Sequence, residues 1–408
     1  MKNFSKSFLI IIISAFLLIN LVYFLFRIQK PQQEDVVFWT LQMSDFSPFI
    51  NKVISNFEKE NPDIRIKWVD VPFSEGEKRT LASVLSDNPP DLVNLNPDFS
   101  SILAHKGALT PISKKDLADY KPEIIDSLKI NGKYFLIPWY ATSGITIYNK
   151  NLLKTNVVQT YNDLAKLAPD IKQKTNHYIT LPNITENDTM LKILNKYGVS
   201  TYEQINSQKS IQIFEMFKNL YNNEYIPKET VTMTLQEALE KYMSQEIVLI
   251  NAGANFLNMI KENAPEVYKI TDVAPQIKGD LGQYDFSLMN FVIPEKSKHK
   301  VAALKFAKYI TNKDNQLELA KLTNVLVTNN NALEDDFYTK YDNNDLKAKA
   351  RVISAKQLNS IKPTFKTQKN QKEINNLVNN AVQTILLNKK STKSALDDVK
   401  KQWGKLLD

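Results

Sequence analysis

The sequence predicts an α/β protein of two domains, at least one of them built on a parallel sheet. Its 408 residues are 43% apolar, 10% aromatic and 24% charged, ordinary globular composition at a length beyond one typical domain. From Val36 onward, short apolar or alternating runs take turns with amphipathic stretches, the order that yields parallel strands joined by crossover helices. A 19-residue apolar run, residues 8–26, stands ahead of this body and is separable from it.

Taken in order, Val36-Val37-Phe38-Trp39-Thr40 reads as the first strand. Residues 49–60 then form an amphipathic helix with Phe49, Ile50, Val53, Ile54 and Phe57 on one face, ended by Asn61-Pro62-Asp63. Ile64-Arg65-Ile66-Lys67-Trp68-Val69-Asp70-Val71 alternates as a second strand, residues 78–86 read as a helix, and Asp91-Leu92-Val93-Asn94-Leu95 as a third strand. After the tight-turn pair Asn131-Gly132, residues 133–138 and 143–148 read as strands that bracket Trp139-Tyr140-Ala141-Thr142, an expected crossing between lobes. Residues 160–243 read as mostly helical, clearest at 211–220, ahead of the strand Ile247-Val248-Leu249-Ile250. A second crossing is expected near Thr271-Asp272-Val273-Ala274-Pro275. The strand Asn290-Phe291-Val292-Ile293-Pro294, a helix over 300–310 and a helical tail over 375–407, broken near Ser391, complete the chain.

Ahead of the body, Lys2 and Lys6 precede the apolar run and Arg27 and Lys30 follow it. At about 1.5 Å per residue the run roughly spans a bilayer core of about 30 Å. A cleavable signal has a shorter apolar region and a small-x-small cleavage site, whereas Asn20-Leu21-Val22-Tyr23-Phe24-Leu25-Phe26 is bulky. An uncleaved N-terminal anchor is therefore favoured over a cleaved signal. The basic flanks are nearly balanced and leave orientation to the rest of the chain.

Several function classes recede on composition. The chain has no cysteine, which removes disulfides, thiolate metal sites, iron–sulfur clusters and cysteine nucleophiles. Four of the 52 basic residues lie in the acid-free head, leaving 48 in the body against 44 acids. That small surplus is spread out, and no basic run interleaved with aromatics marks a nucleic-acid binder. His105, His177 and His299 lie far apart, without a nucleophile elbow, phosphate loop or metal-spaced pair. No local spacing singles out a carboxylate pair for glycoside hydrolysis, so no catalytic residue, metal ligand or cofactor is assigned.

Four ordered stretches carry a family resemblance. They are Phe57-Glu58-Lys59-Glu60-Asn61-Pro62-Asp63-Ile64-Arg65-Ile66; Ser86-Asp87-Asn88-Pro89-Pro90-Asp91-Leu92-Val93; Ile130-Asn131-Gly132-Lys133-Tyr134-Phe135-Leu136-Ile137-Pro138, with Gly144 and Tyr148-Asn149-Lys150-Asn151-Leu152-Leu153; and Ile293-Pro294-Glu295-Lys296-Ser297-Lys298-His299-Lys300, with Ala302-Ala303-Leu304-Lys305-Phe306 and Tyr309-Ile310-Thr311. Together they resemble the family 1 extracellular solute-binding proteins of bacterial ABC importers, the maltodextrin-, oligosaccharide- and glycerol-phosphate-binding type. The resemblance covers residues 36–408. It implies a two-lobe periplasmic-binding-protein-like fold (type II), each lobe a sheet flanked by helices, with a ligand cleft between lobes and the N-terminal hydrophobic helix ahead of them. Residues 1–33 would be anchor and spacer, 34–142 plus 276–325 lobe one, and 143–275 plus 326–408 lobe two.

On that fold, cleft residues come from loops at the carboxyl ends of strands. The places indicated are Thr40 to Asp45, with Gln42, Ser44 and Asp45; Asn96 and Asp98; Trp139, Tyr140 and Ser143; Asn251, Gly253 and Asn255; and Asp285 to Asn290, with Ser287 and Asn290. By resemblance Asp98 occupies the place of a sugar-hydroxyl ligand, and it reads equally as a helix N-cap before Phe99. Trp139 and Tyr140 would stack on a sugar, or one of them would pack in the hinge. Trp39 reads as core, and Trp403 as packing. Many relatives carry Gly-x-Trp where Asn251-Ala252-Gly253-Ala254-Asn255-Phe256 stands, a departure that weakens the carbohydrate assignment.

The resemblance implies a small-molecule ligand, most simply a sugar or oligosaccharide. It also implies ABC permease subunits as partners, a body outside the cytoplasm on the periplasmic or cell-surface side, and attachment to the membrane by the N-terminal helix. Many relatives are held by a lipidated cysteine, which this chain lacks. A membrane-anchored sensor or scaffold that keeps the fold without transport is the alternative function.

Overall fold

The computed structural model describes residues 16, 18, 20, 33–153, 158–361 and 370–407. Nearly all of the expected anchor at residues 8–26 lies outside them. Among the described residues no helix is long and apolar enough to cross a membrane.

The body contains two sheets. The strands are β1 (Glu34–Leu41), β2 (Ile64–Val71), β3 (Leu92–Leu95), β4 (Ile137–Thr142), β5 (Gly144–Asn149), β6 (Tyr178–Thr180), β7 (Ile247–Gly253), β8 (Thr271–Pro275), β9 (Ser287–Val292) and β10 (Leu326–Val327). Six form a first sheet in the order β10-β4-β9-β3-β1-β2, and four form a second in the order β6-β7-β5-β8. β1 lies parallel to β2 from Glu34↔Ile64 to Leu41↔Val71 and parallel to β3, as the strand–helix alternation requires. β9 runs antiparallel to both β3 and β4, so the first sheet as a whole is mixed.

The helix Ser47–Glu60 turns its predicted face, Phe49, Ile50, Val53, Ile54 and Phe57, into the core of the first lobe. Phe38 of β1 meets Phe291 of β9 and Phe306 of the helix Lys300–Ile310 edge to face at 5.6 and 5.2 Å, and Phe57 meets Phe306 at 5.0 Å. Such pairs add about 0.5–1.5 kcal/mol beyond the area they bury. In the second lobe the helices Tyr161–Thr175, Gln208–Asn222, Gln371–Leu386 and Thr392–Leu407 share one core that includes Phe217, Val382 and the fully buried Trp403.

The expected strand at residues 133–138 is displaced toward the C-terminus. Tyr134 makes only an isolated bridge to Ile112, and the Asn131-Gly132 turn closes a short bridge between Ile130 and Lys133. The strand proper is β4, so Trp139-Tyr140-Ala141-Thr142 is not a crossing but the strand itself, and the chain crosses between lobes at the single residue Ser143. Likewise Thr271–Pro275 is β8, and the second crossing follows at residues 276–286.

Leu326–Val327, placed by the sequence at the start of the return to lobe two, instead pairs with Tyr140 and Ala141 on the edge of the first sheet. The return is made by the helix Leu346–Gln357. Its Ala350 packs in the core around Ile145, Ile147 and Ile250 of the second sheet. Ala355, Leu358 and Ile361 pack in the core with Val93, Ala141 and Val327 of the first. One helix is thus rooted in both lobes.

Candidate functional site

Strand directions bring two sheet edges face to face. β1, β2, β3 and β4 all end at one edge of the first sheet, where antiparallel β9 begins at Ser287. In the second sheet β5 begins, and β6, β7 and β8 end, at one edge. Ser143 joins β4 to β5 and residues 276–286 join β8 to β9, so each crossing links one edge to the other. Open α/β sheets bind ligands at such carboxyl-end edges. Gln42, Ser44, Asp45, Asn96, Asp98, Ser143 and Ser287 lie along or just beyond the first edge, and Asn251, Gly253 and Asn255 along the second.

The loop after β1 is held in shape by Asp70 of β2. Its carboxylate accepts from Thr40 Oγ1 at 2.7 Å and from the amides of Met43 and Ser44 at 2.9 and 2.8 Å. Trp68 Nε1 donates to Thr40 Oγ1 at 2.8 Å. Gln42 takes φ 51° in the left-handed region, and Gln42, Ser44 and Asp45 are exposed. The loop is tied by its backbone to Asp70 and open in its side chains.

After β3, Asn96 caps the helix Pro97–His105 by accepting from Phe99 N at 2.8 Å. Pro97 at the first helical position fixes the cap there, so the N-cap reading of Asp98 is corrected: Asp98 stands exposed in the first turn. On the second edge, Asn251 is half-buried and Asn255 exposed. A Cβ on Gly253 would sit 2.4 Å from Asn255 Oδ1, so glycine there lets Asn255 fold back over the strand end.

Three expectations fail on burial. Ser143 is 7% exposed, and its hydroxyl donates to Asp285 O at 3.1 Å and accepts from Gln357 Nε2 at 2.9 Å, which leaves it nothing to offer a ligand. Trp139 is 0% exposed and stacks on Phe291 at 4.6 Å inside the first-lobe core, and Asn290 is also 0% exposed and spends its amide on Ser100 Oγ at 3.1 Å. Both lie within strands rather than at strand ends, so neither can touch a ligand between the edges in this arrangement. Tyr140 is half-buried against Trp139, ring centroids 5.1 Å apart, and burial pushes its phenol up to about 12. Trp39, read as core, is half-buried with the Arg79 guanidinium 5.3 Å over its ring.

The sequence reading missed a buried polar network at the junction. Lys196, 1% exposed in its side chain, donates to Gln276 Oε1 at 3.1 Å and Ile277 O at 2.8 Å, and pairs with Asp285 Oδ2 at 2.9 Å. Burial holds its ammonium below the ordinary lysine range despite Asp285. Four residues earlier, Lys192 pairs with Asp188 at 3.0 Å. Partial burial pulls Lys192 down, but Asp188, Asp285 and Asp98 outweigh it and raise its pKa. Asp98 comes from lobe one and Lys192 from lobe two, so their attraction acts across the junction. A signal was present: Lys196 follows the helix Thr189–Asn195, where Met190, Leu191, Ile193 and Leu194 are all buried, and a lysine in so apolar a run has few exposed places to go.

Gln357, at the end of the shared helix, donates to Ser143 Oγ and Gly144 O, both at 2.9 Å, and accepts from Gln276 N at 2.6 Å. These junction groups are largely buried and paired with one another, so the polar groups open to a solute are those of the strand ends, Gln42, Ser44, Asp45, Asp98, Asn255 and Ser287. Among the described residues no group of three or more His, Asp or Glu could hold a metal ion.

Comparison with known proteins gives concordant results. The model of a family described as bacterial extracellular solute-binding protein matches residues 52–346. The multiple sugar-binding protein of Streptococcus mutans is 24% identical over 310 residues, 69% of this chain and 72% of that protein. A solved structure from Synechococcus sp. MITs9220, described as an oligosaccharide periplasmic-binding protein, is 26% identical with TM-score 0.78, covering 91% of this chain and 98% of its own. The sugar-binding protein MalE of Xanthomonas citri, at 18% identity and TM-score 0.77 over 91% and 97% of the two chains, shares the fold.

Proposed function

The chain belongs to the family of bacterial extracellular solute-binding proteins, and on that premise we propose that it captures a sugar or oligosaccharide between its lobes and delivers it to an ABC permease. The observation that carries this is the pair of strand-end edges joined across Ser143, with the polar side chains of Gln42, Ser44, Asp45 and Asp98 beyond one and Asn251 and Asn255 at the other. A solute that touches both walls favours the closed arrangement by its differential affinity, and closure is what a permease would read.

The sugar assignment draws support from the relatives described as sugar- and oligosaccharide-binding proteins. Asp98 would accept from neighbouring hydroxyls and Lys192 would donate to them, with Gln42, Ser44, Asp45, Asn251, Asn255 and Ser287 completing the walls. In this reading the protein carries out no chemical step. The body works outside the cytoplasm, tethered by residues 8–26, and the two lobes move as the units that carry the two sheets.

The test is isothermal calorimetry and thermal melting of residues 31–408 against oligosaccharides, sugar alcohols and glycerol phosphates. A bound solute raises the melting temperature by mass action. Saturable binding of one sugar, weakened at least tenfold in Asp98→Ala and in Lys192→Met, is expected. A protein that melts cooperatively and responds to no sugar overturns the assignment.

A further inference from the structure

The three segments that cross between the lobes close a ring of hydrogen bonds. Ser143 Oγ of the first crossing donates to Asp285 O of the second at 3.1 Å, and Asp285 N donates to Gln276 Oε1 at 2.8 Å. Gln276 N donates to Gln357 Oε1 at 2.6 Å, and Gln357 Nε2 of the third crossing returns to Ser143 Oγ at 2.9 Å. Ser143, Gln276 and Gln357 are 7, 5 and 2% exposed.

Lys196 fastens this ring to lobe two. Its ammonium has its three hydrogen-bond and ion-pair partners, Gln276, Ile277 and Asp285, on the second crossing, and its carbonyl accepts from Leu281 N at 3.0 Å. Gly279 lies so close that a Cβ there would be 2.5 Å from the Lys196 carbonyl oxygen. The second crossing is wrapped around one lysine.

We propose that Gln357 is a positioning residue for solute capture: by closing this ring it holds one lobe arrangement as a discrete state and so sets the apparent solute affinity without contacting the solute. Rotation of the lobes must turn the backbone at Ser143 and within 276–286, and hydrogen bonds weaken steeply with distance and angle. Because the ring is buried, a broken member is left unsatisfied instead of passing to water. The ring is therefore either closed or lost, and the lobe equilibrium has two states in place of a continuous swing. Apparent affinity scales with the population of the competent state. The second half of the proposal rests on the solute-binding reading above; the first does not.

The test uses the absence of cysteine, which makes an introduced pair the only labelling sites. Lys59→Cys and Lys261→Cys, both exposed, carry spin labels for interlobe distance measurement without solute. Gln357→Leu is expected to shift the ratio of the two distance populations about fivefold, the equivalent of one net hydrogen bond. Ser143→Ala, a smaller change, is expected to shift it in the same direction. Gln316→Leu removes an equally buried amide, bonded to Thr328 and Asn329 inside lobe one, and is expected to lower the melting temperature with the distances unchanged. Parent-like distances in both ring variants overturn the ring as a latch. Shifted distances with an unchanged Kd for a sugar the parent binds overturn the effect on affinity. Failure of the parent to bind any sugar strikes the proposed function alone, since the distances need no ligand.

Discussion

Lys196 and Lys192 stand one helical turn apart, yet their removal should have unequal consequences. In Lys196→Met the apolar stem is conserved in volume while three hydrogen bonds vanish, including the 2.9 Å pair with Asp285, whose side chain is 15% exposed. Breaking a buried pair from one side costs about 3–5 kcal/mol, because the remaining charge is stranded. Asp285 keeps some access to water, which places the expected loss near the lower end, about 3 kcal/mol, or roughly a 150-fold change in the folding equilibrium. Lys192 is 30% exposed and its partner Asp188 35%, so Lys192→Met should cost about 0–1 kcal/mol. Adding Asp285→Asn to Lys196→Met should recover most of the loss, since the stranded charge is gone while the Asp285 backbone stays in the ring. Urea unfolding followed by circular dichroism at pH 7 measures all three. A loss below about 1 kcal/mol for Lys196→Met, or an equal loss for Lys192→Met, would refute the account of Lys196 as the fastening of the second crossing.

Two further outcomes are expected. Trp139→Phe should destabilise the protein by about 1–2 kcal/mol through the cavity it leaves on Phe291, with sugar affinity changed less than twofold in calorimetry; a tenfold loss of affinity at unchanged stability would put the side chain back at the ligand. At alkaline pH, burial holds the phenols of Tyr140 and Tyr148 up at about 12, and raises those of Tyr120, Tyr161, Tyr242 and Tyr338 also. Unfolded tyrosine titrates near about 10, so the folded state holds protons the unfolded state has released. The resulting stabilisation is complete below pH about 10 and is lost as pH rises through about 12. The urea midpoint should fall across that window, and a flat midpoint would contradict it.

Much of the fold was legible in the sequence because local pattern and tertiary demand agreed. The five apolar positions of the helix Ser47–Glu60 and the alternation of β1 and β2 point the same way in sequence and in space. Agreement ended at β4. Residues 133–138 carry a strand pattern, but pairing with β9 starts at Ile137 and includes an irregularity after Pro138, so register was decided by the partner strand, which lies far along the chain. The same displacement misplaced Trp139. Asp98 could have been read correctly, since Asn96-Pro97 is itself a helix-start signal. The ring could not: Ser143, the Gln276–Asp285 segment and Gln357 are distant from one another in sequence, and glutamines in a polar-rich chain carry no mark of the partner that will bury them.

The strand order of the first sheet also governs how the chain can be made. β9 lies between β3 and β4, yet it begins at Ser287, 145 residues after β4 ends at Thr142. At about 5–20 residues per second of synthesis, those residues take about 7–29 s to appear. Through that interval the flanks of the central gap are unpaired edges, with the apolar side chains of β3 and β4 uncovered, and such edges invite pairing with other chains. Those edges stay open until β9 arrives, and the first sheet cannot be completed before its last strand, Leu326–Val327, has been made, by which point most of the chain exists.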